Sequence, residues 1–496
     1  MKIINRLWFI LPIFLAGCSD FLQINPQGSL TQASFPVTSS DALQAVNAVY
    51  AGIRIWYFNT GGYPIFDIMS DDAYKGSNKN DQVATVGAYD NFTFTSTGDG
   101  LDRWWATLYQ VIKWANVVIE KVPSIAMDTT LRNRYVAEAR FLRGLCYFDM
   151  VRAWGGVPLV TSVNPPLHLG RASTTDIYNL IISDLEYAEA HLTLKSQHSS
   201  SDLGRATVGA ADALLARVYL FRSDFANAEL YAMKVIQSGE YSLEPNFLDA
   251  NSVNGNNGVE SVFEVEALPV DGWDGGGDQY GNTQGVRGTP NRGWGFSRPS
   301  IDLRKSFEPG DPRLKGTIID LGDTIDGIYI KGDPDPSNDP VVTVNGVGDT
   351  VNIQCYSRKV WTPGNDVPTQ WGHHRRLTRY ADVLLMAAEA LNENNKSANA
   401  LVYLNMIRDR ARGGNISILP DITVTDQDSL RKIIYLERRH ELAMEGHRFW
   451  DLIRTGNAAS VLGPLGFVTG KNELLPIHQS EIDISQGTLT QNPGYY

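Results

Sequence analysis

Two stretches constrain the fold more than any other feature of the chain. They are "GAADALLARVYLFRSDFANAELYAMKVIQSGEYSL", from Gly209, and "RYADVLLMAAEALNENNKSANALVYLNMIRDRAR", from Arg379. Each has apolar residues at helical spacing, a short polar break, and a second helical pattern. In the first the break is Ser223-Asp224, with Ala213 and Ala216 as small contacts, Leu214, Leu215 and Tyr219 around them, and Phe225 and Ala228 opening the partner helix. In the second the break is Asn394 to Ser397, with Ala388 and Ala398 as the small contacts. Small residues at such positions let two helices approach closely, so each stretch predicts a packed antiparallel pair.

The pairs resemble tetratricopeptide repeats, whose period is about 34 residues, but they are too far apart in sequence for a continuous array. Further helices are expected over Asp41–Arg54, Trp105–Lys121, Arg132–Trp154 and Thr175–Leu192, the third stopped by Gly155, Gly156 and Pro158. From Asn251 to Trp371 the pattern changes to Gly, Asp, Asn and Pro, with short alternating runs such as "VESVFEVEAL" and "VNIQCYSRKVW". The expected fold is mainly α: a helical-pair scaffold over about 37–250 and 372–496, with a loop-rich insertion containing short strands over about 251–371. Long structured loops usually carry function, so the insertion is the place to seek a site.

The first eighteen residues, "MKIINRLWFILPIFLAGC", have a positive start (Lys2, Arg6) and an apolar run from Leu7 to Leu15. That run is shorter than the ~20 residues a spanning helix needs, so residues 1–17 read as a signal peptide. "LAGC" resembles the bacterial lipobox, which makes Cys18 the expected lipidation site, followed by a polar tether over 18–36. Several acyl chains on Cys18 would anchor the protein firmly to a membrane surface.

Charge and cysteines exclude other classes. The net charge of -12 repels phosphate backbones and argues against nucleic-acid binding. With three widely spaced cysteines, neither a disulfide framework nor a four-cysteine zinc site is expected. Cys146 lies in an apolar helix and reads as a small buried hydrophobe.

"ERRHELAMEGHRFWDLIRTG", from Glu437, begins like the zinc-protease motif. That motif needs a second histidine four residues on, where Met444 stands; His447 is seven residues on, ~10.5 Å along a continuous helix. The apolar pairs Tyr435/Leu436, Leu442/Ala443 and Phe449/Trp450 recur every seven residues, so the stretch reads as a charge-laced packing helix unless it breaks at Gly446. There is no nucleophile elbow and no P-loop. "DGWDGGGDQYGN" and "GDPDPSND" carry oxygen ligands of the kind calcium takes, but without EF-hand spacing, and no cofactor is expected. His373-His374 reads as a surface pair. No pair of carboxylates is singled out for glycoside hydrolysis.

Trp104, Trp105, Trp114, Trp154 and Trp450 lie on apolar helices and read as core. Trp273, Trp294, Trp361 and Trp371 sit in polar loops. A ring presented by a polar loop offers the apolar C–H face of a sugar a stacking surface, with nearby Asp, Asn, Arg and Gln for its hydroxyls. Trp56-Tyr57 and "DDAYKGSNKN" (Asp71 to Asn80) offer similar chemistry.

Several segments in order then carry a resemblance that runs nearly end to end: "LAGCSDFLQINPQ", "WWATLYQVIKWANVVIEKV", "AEARFLRGLCYFDMVRAWGGVPLV", "LTRYADVLLMAAEALNE", "LNMIRDRAR", "ERRHELAMEGHRFWDLIRTG" and "ELLPIHQSEIDISQGTLTQNPGY". The chain resembles the SusD/RagB family of outer-membrane nutrient-binding lipoproteins. The resemblance implies a non-enzymatic protein that captures oligosaccharides, or in some members peptides, as a lid on a SusC-like TonB-dependent transporter. It implies a site in the loop after "DIMSDDAYKG" and in the Gly/Trp-rich insertion. The residues expected there are Asp72, Tyr74, Trp273, Tyr280, Arg292, Trp294 and Trp371. The rival from another class is a helical-scaffold glycoside hydrolase.

Overall fold

The structure is a computed structural model. It describes residues 35–269, 279–334, 342–344, 347–349, 354–362 and 372–495. The expected signal peptide, Cys18 and most of the tether lie outside the described residues, as do Trp273 and Trp371.

Helices dominate, and they begin where sequence chemistry starts them. Helix Ser39–Ile53 opens on Thr38, whose hydroxyl accepts from Asp41 N while Asp41 reaches back to Thr38 N, a reciprocal cap. Asp128, Ser173, Thr207 and Asp224 cap Thr129–Trp154, Thr174–His191, Val208–Phe221 and Phe225–Gln237 in the same way with one side-chain acceptor each. Helix Leu101–Lys121 packs between the first helix and Thr129–Trp154, and successive helices pack side by side to Phe225–Gln237.

Both expected pairs form. Val208–Phe221 packs on Phe225–Gln237, and Tyr380–Glu393 packs on Ser397–Arg412, while Tyr380–Glu393 also packs on Phe225–Gln237. The distant second pair is therefore docked directly on the first. Ala213, Ala216 and Ala388 are fully buried at these contacts. Ala398 corrects the expectation: it is exposed, and Ala400, two residues on, faces the partner. Because Ala388 is fully buried in the helical core, Ala388→Leu is expected to destabilise the protein by about 1–3 kcal/mol, read as a lower midpoint in chemical denaturation.

One large apolar core runs through the helices and takes in Val262, Phe263 and Val265 of strand Ser261–Val265. That strand pairs antiparallel with Arg375–Arg379, which leads straight into helix Tyr380–Glu393. The two ends of the loop-rich segment are thus stitched together on the helical scaffold. Its middle has a small core of its own, formed by Val286, Ile319, Ile325, Ile330, Tyr356 and Trp361. Trp361, expected on a polar loop, is buried there, and its indole N–H donates to Asp326 Oδ2 at 2.8 Å.

The segment that resembled a zinc motif is not one continuous helix. Helix Gln427–Leu442 ends, Met444 and Gly446 take positive φ (63° and 78°), and a second helix runs Arg448–Arg454. The break does not create a metal site: among the described residues no group of three His, Cys, Asp or Glu side chains is placed to hold an ion. His440 is buried with its ring stacked 4.7 Å from Phe307. His373 and His374 are buried as well, correcting the surface-pair expectation. His373 Nε2 lies 2.8 Å from Asn251 O, and His374 Nδ1 lies 2.6 Å from Glu264 Oε1.

The charges of this segment pair inside the protein and not along one helix face. Arg379 donates to both oxygens of Glu445 (2.8 Å each), to Glu441 Oε1 at 3.1 Å, and to Glu260. Arg410 bridges Glu441 (2.5 Å) and Glu260 (3.0 Å), Lys359 reaches Glu445 Oε1 at 2.5 Å, and Arg313 reaches Glu437 at 2.6 Å. Arg313, Lys359 and Glu260 come from the loop-rich segment, so this buried network ties it to the helices. Among the described residues no helix is long and apolar enough to cross a membrane.

Candidate functional site

A two-stranded antiparallel ladder brings the two expected site regions together. Strand Ala73–Gly76 pairs with Phe296–Pro299, with Gly76 opposite Phe296 and Ala73 opposite Pro299. Immediately before the second strand lies Trp294, whose backbone N–H donates to Asn282 O at 2.8 Å. Before the first strand in sequence, separated from it by the short helix Ile65–Ile68, lie the short turns Trp56–Phe58 and Thr60–Gly62.

Four half-buried rings meet here. Trp56 stacks on Tyr57 with centroids 5.1 Å apart and planes at 26°. Trp294 meets Trp56 edge-on at 5.9 Å, and Tyr63 lies 5.9 Å from Trp56 and 6.4 Å from Trp294. Phe296, fully buried, supports Tyr63 from below at 5.0 Å. The indole N–H of Trp56 donates to Gly62 O at 2.6 Å, which fixes its orientation.

The turn that presents these rings depends on glycine. Gly61 has φ +80°, and a Cβ there would sit 2.1 Å from Gly100 O; at Gly62 (φ +108°) it would sit 2.8 Å from the Trp56 ring. Only glycine combines that backbone with so close an approach.

Polar groups border the rings. The Arg103 guanidinium lies 4.9 Å above the Tyr57 ring and donates to its hydroxyl at 2.7 Å, a cation–π contact on an exposed arginine. Burial pushes the Tyr63 hydroxyl up to about 12, reinforced by the Asp81 charge and Tyr57 and opposed by Arg103. Ser77 donates to Asp81 Oδ2 at 2.9 Å, and Arg287 donates to Ser77 Oγ at 2.8 Å and to Asp333 at 2.9 Å. The arrangement is a stacking surface edged by donors and acceptors, the chemistry a sugar ring needs on its face and its rim.

The expected residues divide. Trp294 stands in the ring cluster. Tyr74 is half-buried on the ladder, its hydroxyl accepting from Ile301 N at 3.4 Å, and burial raises its pKa. Asp72, Tyr280 and Arg292 are buried, and direct contact with a glycan does not fit that burial. Asp72 is fully enclosed and accepts from Arg439 Nε at 2.7 Å. The Tyr280 hydroxyl points toward Met444 O at 3.5 Å, and its ring carries the Arg375 guanidinium at 4.9 Å. Arg292 is held 5.1 Å over the buried Trp361 ring. Tyr63 and Arg103 were missed in the sequence reading. The run "NTGGYP", an aromatic beside two glycines, was the available signal for Tyr63; nothing local marked Arg103.

Fold and site together define a helical-scaffold binding protein with an aromatic platform on its loop-rich side. The SusD family pattern matches residues 259–495, and a second pattern, described as starch-binding associating with outer membrane, matches residues 32–220. SusD-like protein P2 of Formosa agariphila is 30% identical over the full length of both chains. The starch-binding protein SusD of Bacteroides thetaiotaomicron is 27% identical, over 69% of this chain and 67% of its own. Among solved structures, a laminarin-binding SusD-like protein is 30% identical with a TM-score of 0.77, covering 93% of this chain and 100% of its own. Surface glycan-binding protein A from B. thetaiotaomicron, solved with laminarihexaose, is 25% identical with a TM-score of 0.75, covering 92% and 100%. The chain belongs to the SusD family.

Proposed function

We propose that this protein captures oligosaccharides on the platform formed by Trp56, Tyr57, Tyr63 and Trp294, without cleaving them. The observation that carries the reading is the convergence of four half-buried rings, from two distant stretches of sequence, beside Arg103, Ser77 and Asp81. A neutral glucan of the laminarin kind is the first ligand to try, because relatives named for laminarin or solved with laminarihexaose share 25–30% of their residues with this chain. Tyr74, on the adjoining ladder, extends the platform as a second-rank contact.

The finer reading follows from the leader. Residues 1–17 direct export, Cys18 carries lipid at the outer membrane, and the body passes glycan to a SusC-like TonB-dependent transporter. Fatty-acid analogue labelling tests the anchor: the wild type takes up label, and a Cys18→Ala variant that still labels would overturn it. The platform is tested by calorimetry with laminarin-type oligosaccharides, in which binding heat without release of new reducing ends is expected. Turnover would favour the hydrolase.

A further inference from the structure

Beside the ring platform lies a partly open pocket of about 60 Å³, walled in part by Phe58 and Thr60, which lie just after Trp56 and Tyr57 in sequence. Charged side chains more than nine-tenths buried line it, and Asp67 Oδ2, Arg217 Nε and Arg376 Nε have no hydrogen-bond partner among the described residues. Their other atoms are engaged. Asp67 Oδ1 accepts from Gly446 N at 2.8 Å, at the break between helices Gln427–Leu442 and Arg448–Arg454. Arg217 Nη2 donates to Leu377 O at 3.1 Å, to Thr378 Oγ1 at 3.0 Å, and to Asp382.

Trp104 Nε1 on the same wall also lacks a hydrogen-bond partner among the described residues, and Arg376 Nε lies 3.4 Å from Glu264 Oε2, so one acceptor and three donors call for an occupant that both donates and accepts. A cation suits the donor badly, and the wall carries four guanidiniums, of Arg152, Arg217, Arg375 and Arg376. An anion suits Asp67 badly. Of the other carboxylates on the wall, Asp149 is paired with Arg152, and Glu445 with Lys359 and Arg379. Water satisfies both kinds of atom, and a buried water needs only about 10–15 Å³ of such space and two to four polar partners.

We propose that this cavity is a permanent water site, in which two or more ordered waters link Asp67 Oδ2 to Arg217 Nε and support the platform turn from within. Asp67 keeps its acidic hydrogen-bonding role there as a titrating group. Burial, with the charges of Asp72 and Glu445, pushes its pKa up to about 7, opposed by the Gly446 N–H and by Arg375. The other titratable or charged side chains on the pocket wall are Asp149, Arg152, Arg217, Tyr280, Arg376 and His447, the last held neutral because burial lowers it to about 3. A carboxyl raised above its unfolded value of about 3.9 binds its proton more tightly when folded, so its contribution to stability falls as pH rises from about 4 to about 7.

A high-resolution crystal structure of the protein tests the proposal. It predicts ordered waters within hydrogen-bond reach of Asp67 Oδ2 and of Arg217 Nε; an empty cavity, an ion, or a direct Asp67–Arg217 contact would overturn it. Thermal melts of Asp67→Asn and Asp67→Leu supply the second arm. With waters present, Asn stays within about 2 °C of wild type at pH 5 and Leu falls by more than about 2 °C, because hydrocarbon strands the Arg217 donor. A dry cavity gives the reverse, with Leu melting above wild type. Should Asp67→Leu fail to fold, Asp67→Asn still decides: because burial also raises Asp90 and Asp212, to about 6 and about 7, the loss of stability between pH 4 and 7 must become smaller than in wild type, and an unchanged loss would overturn the assignment to Asp67.

Discussion

Arg379→Met is expected to lower the free energy of unfolding by about 3–5 kcal/mol, the cost of leaving buried charges unpaired. Arg379 is 1% exposed and is the common partner of Glu260, Glu441 and Glu445. Taking it away leaves Lys359, Arg410 and Arg313 as the cations facing three carboxylates. A double-mutant cycle separates this from lost packing: with Glu445→Gln added, the second substitution costs far less than it does alone. The same network sets the acid limit. Burial alone would push the Glu445 and Glu441 carboxyls up, but Arg379 and Lys359 hold the first, and Arg410, Arg379 and Arg313 hold the second, below the usual carboxylate range. Folded pKa values depressed in this way give stability that is present above the unfolded value of about 4.3 and lost as pH falls through the folded values. Wild-type protein therefore loses stability steeply below about pH 4, and Arg379→Met flattens that slope. Equal slopes in denaturation series at pH 3 to 6 would argue that the network is not what holds the loop-rich segment to the helices.

The second large effect falls on binding. Trp56→Ala or Trp294→Ala is expected to weaken glycan affinity about ten- to a hundredfold, roughly 1.4–2.8 kcal/mol, with only a modest fall in melting temperature because both rings are partly exposed at the surface. Trp56→Phe keeps an aromatic face and loses only the N–H bond to Gly62, so it should retain most of the affinity. Arg448→Ala gives the opposite pattern. Arg448 holds both oxygens of Asp71 at 2.8 and 2.9 Å, away from the rings, so stability falls and affinity stays.

Much of this was written in local pattern. The helical pairs, their turns at Ser223-Asp224 and Asn394–Ser397, and the caps come from interactions a few residues apart, and such interactions are legible in a single sequence. The helix break at Met444–Gly446 was marked only by Gly446, because the seven-residue apolar recurrence fits one helix or two. Asp72, Tyr280 and Arg292 looked like loop chemistry, yet their partners Arg439, Met444 and Trp361 lie far away in sequence, and burial decided by remote partners leaves no local trace. The same limit hid the joining of Trp56, Tyr57 and Tyr63 to Trp294: each ring was visible, but the Ala73–Gly76 and Phe296–Pro299 ladder that unites them was not. Charge alternation around Glu437 was visible too, but not that its partners would be buried arginines from other elements.

Affinity electrophoresis of wild type and Trp56→Ala/Trp294→Ala through gels containing a panel of polysaccharides, laminarin first, tests the central claim most directly. The account predicts that a glycan retards the wild type, that the folded double variant runs as in a glycan-free gel, and that no polysaccharide is degraded along the track. Equal retardation of both proteins, or clearing of the polysaccharide by the wild type, would contradict it.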